Sequence, residues 1–429
     1  MPRRSGRSAG SLGNFATSGV FGLNVSRVQR PTAPRRGPSK RAVIDFFPMT
    51  QETSDNRWDV VVVGAGPAGA TAARVAAENG ARVLLLDKAR FPRYKTCGGG
   101  LIGTSRNYLA PGVTYDVDRR INAVGFSRNM GRITRRFGPD ASLAMVQRET
   151  FDQQNVDAAK AAGAEFRDGV NVRAVSENDG IVTLTTDKET FTARVVIGAD
   201  GSGGRIGRYV GVEIEQADLG LEAEIPMPAG EQWRTTALLD WGPRPGTYAW
   251  VFPKKDSLTV GVIEAKGNAP HTREYLDQWL ARLGMANTPP LHDSGHLTQW
   301  RRVGTPSARG HVIVAGETAG LLEPWTREGI SFALRSGTWA GAAAAAFIGG
   351  DEAALTGYSA QITRELEPEI SAGSAFLRFF EKRSALVQLF TAHSRVGANY
   401  FFRFCNGDTN LARAFRHPSV RLAVAMLSR

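Results

Sequence analysis

Three short runs carry residue types that could do chemistry. In Gly64-Ala65-Gly66-Pro67-Ala68-Gly69 the glycines recur at the spacing of a dinucleotide-binding turn, with Asp87-Lys88 following at a suitable distance. Gly64 would make the tight turn, Gly66 would let a pyrophosphate approach the backbone, and Gly69 would let helix and strand pack closely. A helix opening at Pro67 and Ala68 offers unpaired N–H groups and its positive dipole end to phosphate. A carboxylate at Asp87 is placed to bond ribose hydroxyls. The second run, Cys97-Gly98-Gly99-Gly100, sets a lone thiol beside three missing side chains. Such a triplet is entropically costly to order, so some group must need the space. Cys97 reads either as a small buried packing residue or as a functional thiol. The third run, Tyr248-Ala249-Trp250-Val251-Phe252-Pro253, places aromatics at period two, hence on one side of a strand. Phe252 reads as ordinary core, while Tyr248 and Trp250 carry polar handles that suit a cavity lining. The six histidines are scattered, without the spacing of metal ligands, and no metal site is expected.

The elements around these runs decide which nucleotide is meant. DVVVV (59–63) and VLLL (83–86) are continuous apolar runs, the signature of parallel strands covered on both faces. A plain NAD unit would end there. Two later segments extend it: ARVVIGADGSGGRIGR (193–208), a buried strand ending at Asp200-Gly201, and HVIVAGETAGLLEPWTREGISFALRSGTWAG (311–341). In the latter a strand leads to Glu317 and Gly320, and a helix opens at Gly329-Ile330. A flavoprotein assembled from discontinuous segments needs both. The acid reaches the ribityl-diphosphate, and the helix N-terminus stabilises negative charge on the flavin ring. The expected cofactor is FAD.

The order of these segments resembles the FAD superfamily that includes aromatic hydroxylases and, within it, the geranylgeranyl reductase family. The resemblance covers roughly residues 57–345, about two-thirds of the chain. It is carried by Pro92-Arg93-Tyr94-Lys95-Thr96-Cys97-Gly98-Gly99, similar to a Pro-x-x-x-x-Cys-Gly-Gly element, and by Tyr248-Ala249-Trp250-Val251-Phe252-Pro253, similar to Tyr-x-Trp-x-Phe-Pro. It implies that Cys97, Gly98 and Gly99 run beside the flavin, leaving room for the ring and an extended hydrocarbon. It further implies that Arg148, followed by Asp152, approaches the cofactor. Two positions depart from the family pattern. Glu317 stands where Asp is usual, which shifts the ribityl contact, and Ile263 replaces the second glycine after Gly261, which changes the substrate cavity.

The resemblance implies an α/β fold with a discontinuous FAD-binding Rossmann-type domain, an antiparallel β-sheet substrate domain and a helical C-terminal extension. The expected boundaries are 57–115, 146–215 and 301–348 for the FAD-binding segments, 116–145 and 216–300 for the substrate strands, and 349–429 for the C-terminal helices. The implied activity is FAD-dependent reduction of isoprenoid carbon–carbon double bonds, with NAD(P)H or reduced ferredoxin as donor. Cys97 and Tyr248 are candidate proton donors, with Trp250 beside them. A flavin monooxygenase and a non-enzymatic flavin-binding redox partner are the alternatives.

Composition narrows the partners. The net charge of +12 is concentrated in the leader, where residues through Pro48 hold nine basic side chains against Asp45. This Gly/Ser/Pro-rich stretch (1–56 at its widest) cannot build a core. It reads as an organelle leader or as an over-extended start before Met49, and the second is preferred. Nucleic acid is not an expected partner. Two cysteines, Cys97 and Cys405, suit a reducing, cytoplasmic setting. The Arg- and Lys-bearing apolar helices after Ala372 are expected to pack on the core, with peripheral contact at a membrane surface as the other reading. The sequence gives no reading of oligomeric state.

Overall fold

The computed structural model describes residues 56–113, 120–121, 123–138, 143–267 and 269–427; the leader lies outside the described residues. The apolar runs form the parallel heart of an eight-stranded sheet. Arg57–Val63 lies between Val83–Leu86 and Thr190–Gly198, with Val312–Val314 beyond the latter and Glu165–Arg167 beyond Val83–Leu86. Their valines, leucines and isoleucines are buried on both faces, which is why these strands lack polar alternation. A hairpin, Val172–Asn178 and Ile181–Thr186, continues from Thr190–Gly198.

Two helices lie together over this sheet because their contact is made of glycine and alanine. In Pro67–Glu78 and Ile330–Ile348, a Cβ on Gly337 would collide with the Ala68 carbonyl, and one on Gly341 with the Ala72 carbonyl. The glycine helix and the closing helix therefore approach backbone to backbone.

The second, seven-stranded sheet runs in the order His292–Arg301, Ile214–Pro226, Ser257–Ala265, Tyr248–Pro253, Thr236–Trp241, Ala123–Arg128, Thr134–Phe137. It is antiparallel except where Thr236–Trp241 meets Ala123–Arg128 in parallel. The helix Ala269–Arg282 covers one face through Tyr275, Leu276 and Trp279. A three-stranded sheet ties Gly100–Leu101 and Arg120–Ile121 to Leu143–Met145. The last helices include Glu367–His393, which departs from helical geometry at Arg383, and Arg395–Asn406, capped by the Ser394 hydroxyl. Arg395–Asn406 turns Phe401, Phe402, Phe404 and Cys405 into the core. No helix among the described residues is long and apolar enough to cross a membrane.

Candidate functional site: a cofactor cleft and an apolar cavity

A cleft of about 700 Å³ opens at the carboxyl ends of the parallel strands. At its floor Gly64 has φ +103°, and a Cβ there would collide with the Ala199 carbonyl; the turn requires glycine. Beside Gly66 the nearest atom to an added Cβ is an Arg93 nitrogen at 3.8 Å, so the backbone there is open to a ligand. Gly69 does not line the cleft. A Cβ on it would run into the Gly64 carbonyl, which makes it the close-packing position. Pro67 opens the helix after Gly66 with no side-chain cap, leaving the first-turn N–H groups uncapped where Gly66, Pro67 and Ala68 line the cleft.

Asp87 is buried at the cleft edge next to Lys88. Its Oδ2 accepts from the Ala65 N–H at 2.7 Å and its Oδ1 from the Ala89 N–H at 2.8 Å, so it also holds the glycine turn. Arg148 clamps Asp152 bidentately at 2.8 Å, Arg93 reaches the same carboxylate at 3.1 Å, and the Cys97 thiol is another Arg148 neighbour. Asp200 accepts from the Arg205 N–H at 2.6 Å, and its other oxygen is buried without a partner. Gly201 lines the cleft and donates its N–H to the Thr318 hydroxyl.

Glu317 follows the strand Val312–Val314 and reaches the cleft at the end of a polar chain. Lys95 Nζ donates to His296 Nδ1 at 2.9 Å, and His296 Nε2 donates to Glu317 Oε2 at 3.1 Å. The remaining oxygen, Oε1, is buried without a partner. Burial pushes the Lys95 ammonium down to about 8, with the Arg148 charge acting in the same direction.

A second, apolar cavity of about 210 Å³ lies against the first. The two share the walls Thr96, Cys97, His296, Thr298, Arg327, Gly329 and Ile330. Arg327 sits at φ +58°, unusual for a residue with a side chain, and is fixed by Asp218 through Nε at 2.8 Å. Tyr248, Trp250 and Phe252 form one wall, Gly98 to Gly100 another, and Phe401, Phe404 and Cys405 come from the C-terminal extension.

Four expectations change on contact with this geometry. The space left at Gly98 is taken by the Phe252 ring, 2.7 Å from an added Cβ, and that at Gly99 by the Val146 carbonyl. At those two positions the missing Cβ makes room for the protein itself, while both glycines line the apolar cavity rather than the cofactor cleft. Phe252, read as ordinary core, is half-buried and lines the cavity. Gly320 does not line the cleft; its φ of +66° and the Arg301 backbone packed on it account for the glycine. Tyr248 donates its hydroxyl proton to the Thr326 carbonyl at 2.6 Å, and burial raises its pKa, so its proton is already committed. Trp250 Nε1, by contrast, is buried with no partner. A Cβ at Gly261 would collide with the Trp250 indole, whereas Ile263 lines the cavity beside Gly220.

The residues that sequence reading missed are His296, Lys95 and Glu222. Glu222 is 1% exposed, and its Oε1 accepts from the Cys97 N–H at 2.9 Å and the Tyr94 hydroxyl at 3.0 Å.

The family model described as "FAD binding domain" matches residues 57–365. Digeranylgeranylglycerophospholipid reductase 2 of Methanosphaera stadtmanae is 30% identical over 323 residues, covering 67% of this chain and 77% of that protein. The chain belongs to the geranylgeranyl reductase family. Another relative, the digeranylgeranylglycerophospholipid reductase of Methanocella arvoryzae, is 26% identical over 80% of this chain and 93% of its own. Among solved structures, a geranylgeranyl bacteriochlorophyll reductase-like protein from Thermoplasma acidophilum superposes with a TM-score of 0.72 at 20% identity, over 87% of this chain and 99% of that one. A flavin-dependent brominase shares the fold at a TM-score of 0.67 and 18% identity, over 86% and 98% of the two chains. The cofactor of this family member is FAD. The cleft suits it: an open glycine turn at an uncapped helix end would hold the diphosphate, and Asp87 and the unpartnered oxygens of Asp200 and Glu317 would offer acceptors for hydroxyls.

Proposed function

We propose that this protein reduces carbon–carbon double bonds of a geranylgeranyl or related isoprenoid group. The observation that carries the reading is the apolar cavity walled by Trp250, Tyr248 and Phe252, which meets the cofactor cleft across Cys97 and His296. Reduced FAD supplies hydride when bound. An isolated alkene is a poor hydride acceptor, so the work of the chain is to align the double bond and keep water away. The aromatic wall and Ile263 hold the hydrocarbon. Asp87 and Glu317 hold the hydroxyl-bearing part of the cofactor, and the Arg148–Asp152–Arg93 cluster braces the Cys97 loop. Cys97 stands at the junction as a proton donor or as a modulator of ring position. NAD(P)H or reduced ferredoxin is the proposed electron donor. The names of the relatives support an isoprenoid substrate.

Product mass tests the reading. FAD-loaded protein with dithionite and a geranylgeranyl lipid, without oxygen, should yield products heavier by about 2 Da per reduced bond. Products about 16 Da heavier, formed only in air, would instead mark a monooxygenase of the same superfamily. No product in either condition would favour a non-enzymatic flavin-binding role.

A further inference from the structure

Glu222 is a buried carboxyl in an otherwise apolar wall. It projects from Ile214–Pro226 into the wall of the apolar cavity, is 1% exposed, and its Oε2 is buried without any hydrogen-bond partner. Oε2 has no protein partner in either protonation state and belongs to a side chain that lines the cavity, so it is open to a cavity occupant, while burial in an apolar wall disfavours the charge. The donors to Oε1 are the Cys97 N–H and the Tyr94 hydroxyl. Thus the carboxyl is held by the same loop that carries the thiol. Burial raises its pKa, in keeping with the neutral form.

We propose that Glu222, protonated at Oε2, gives the proton that completes reduction of the double bond. The inference rests on the alkene-reductase reading. The π pair of the double bond forms a C–H bond with the Glu222 proton, and the O–H bonding pair stays on the carboxylate. The neighbouring carbon receives hydride, with both its electrons, from the reduced flavin. The charge of Lys254, whose Nζ lies 3.9 Å from Glu224 and 3.4 Å from the Cys97 carbonyl, favours the carboxylate that remains. The titratable groups around Glu222 are Tyr94 and Cys97 on the loop, Lys254 on the turn after the aromatic strand, and Glu224 on its own strand. Among them Tyr94 reaches onward to the Ser294 hydroxyl at 3.2 Å, extending the network that holds Oε1.

Glu222→Gln preserves the acceptor for Cys97 and Tyr94 but cannot deliver the proton. Glu222→Asp keeps the acid and shortens its reach. In E222Q, FAD content, FAD affinity and flavin reduction by dithionite should match wild type, while anaerobic reoxidation of the reduced flavin by a geranylgeranyl lipid slows at least about a hundredfold. E222D should fall between the two. The infrared difference between wild type and E222Q, recorded without substrate, should show the carbonyl band of a protonated carboxylic acid at neutral pH. An E222Q enzyme that holds FAD and turns over at the wild-type rate overturns the proposal and leaves the reductase reading intact, as does absence of the infrared band. Loss of FAD from both variants assigns Glu222 to holding the loop and likewise overturns it. If wild type itself reduces no double bond, the reductase reading falls and this inference with it.

Discussion

The loop Cys97–Gly100 shows how one residue type can answer two demands, since its glycines line the apolar cavity and also admit protein groups. The three glycines announce a close approach, yet the approaching groups at Gly98 and Gly99 are Phe252 and the Val146 carbonyl. Gly99→Val should therefore do more than stop turnover. A β-branched residue at φ +80° facing a backbone oxygen should lower stability by at least about 1–3 kcal/mol and release FAD along with it. Denaturant unfolding with a flavin-fluorescence readout checks this; a stable, FAD-bound Gly99→Val would return the space to the ligand. Asp87 was legible from its spacing alone, but its two backbone hydrogen bonds were not. Asp87→Ala should weaken FAD binding by about 1–3 kcal/mol, roughly fivefold to 150-fold in affinity, as titration of apoprotein would measure. Glu328 lines the apolar cavity, and its carboxyl, pushed up to about 7 by burial, accepts from the Ser331 N–H and hydroxyl. A raised folded pKa means the folded state binds more protons than the unfolded one, so this group costs stability as pH rises from about 4.5 through 7. Glu328→Gln should thus raise the free energy of unfolding above pH 7 by on the order of 1–2 kcal/mol, with a higher melting temperature, and leave both nearly unchanged at pH 5. Equal effects at both pH values would contradict the assignment.

At the scale of elements, the parallel strands and the glycine helix were legible because their apolar runs are continuous and their turn residues are specific. The edge strand His292–Arg301 was not. It falls inside the expected strand region 216–300, yet HDSGHLTQWR mixes polar side chains and does not stand out as a strand, because its partner on one side is the polar chain to Lys95 and Glu317 rather than a hydrophobic core. His296 was hidden with it. Glu222 was hidden for a related reason. In LEAEIP an acid between apolar residues reads as a solvent-facing position, and only the Cys97 loop, distant in sequence, buries it. The contact between the glycine helix and the closing helix is another property of pairs. Gly337→Leu should separate the helices, because its side chain has only the Ala68 backbone to enter. The expected result is FAD loss together with a fall in melting temperature; a variant with wild-type FAD content would show that the two helices need not touch.

Across the whole molecule, the cleft draws its walls from the first strand and helix, the Asp200 turn, the edge strand bearing His296, and the closing helix. The apolar cavity adds the C-terminal helix Arg395–Asn406. Cofactor binding and folding are therefore one equilibrium. FAD at a hundred times its dissociation constant should add about 2.7 kcal/mol to the stability of the apoprotein. The central claim concerns what the neighbouring cavity does for that cofactor. The most direct measurement is anaerobic stopped-flow of dithionite-reduced protein mixed with one of two lipids, geranylgeranyl or its fully saturated counterpart, following the flavin absorbance. The account predicts that the unsaturated chain reoxidises the flavin in stoichiometric amounts and the saturated chain leaves it reduced. Flavin that stays reduced with both lipids, in protein shown to bind them, would contradict it.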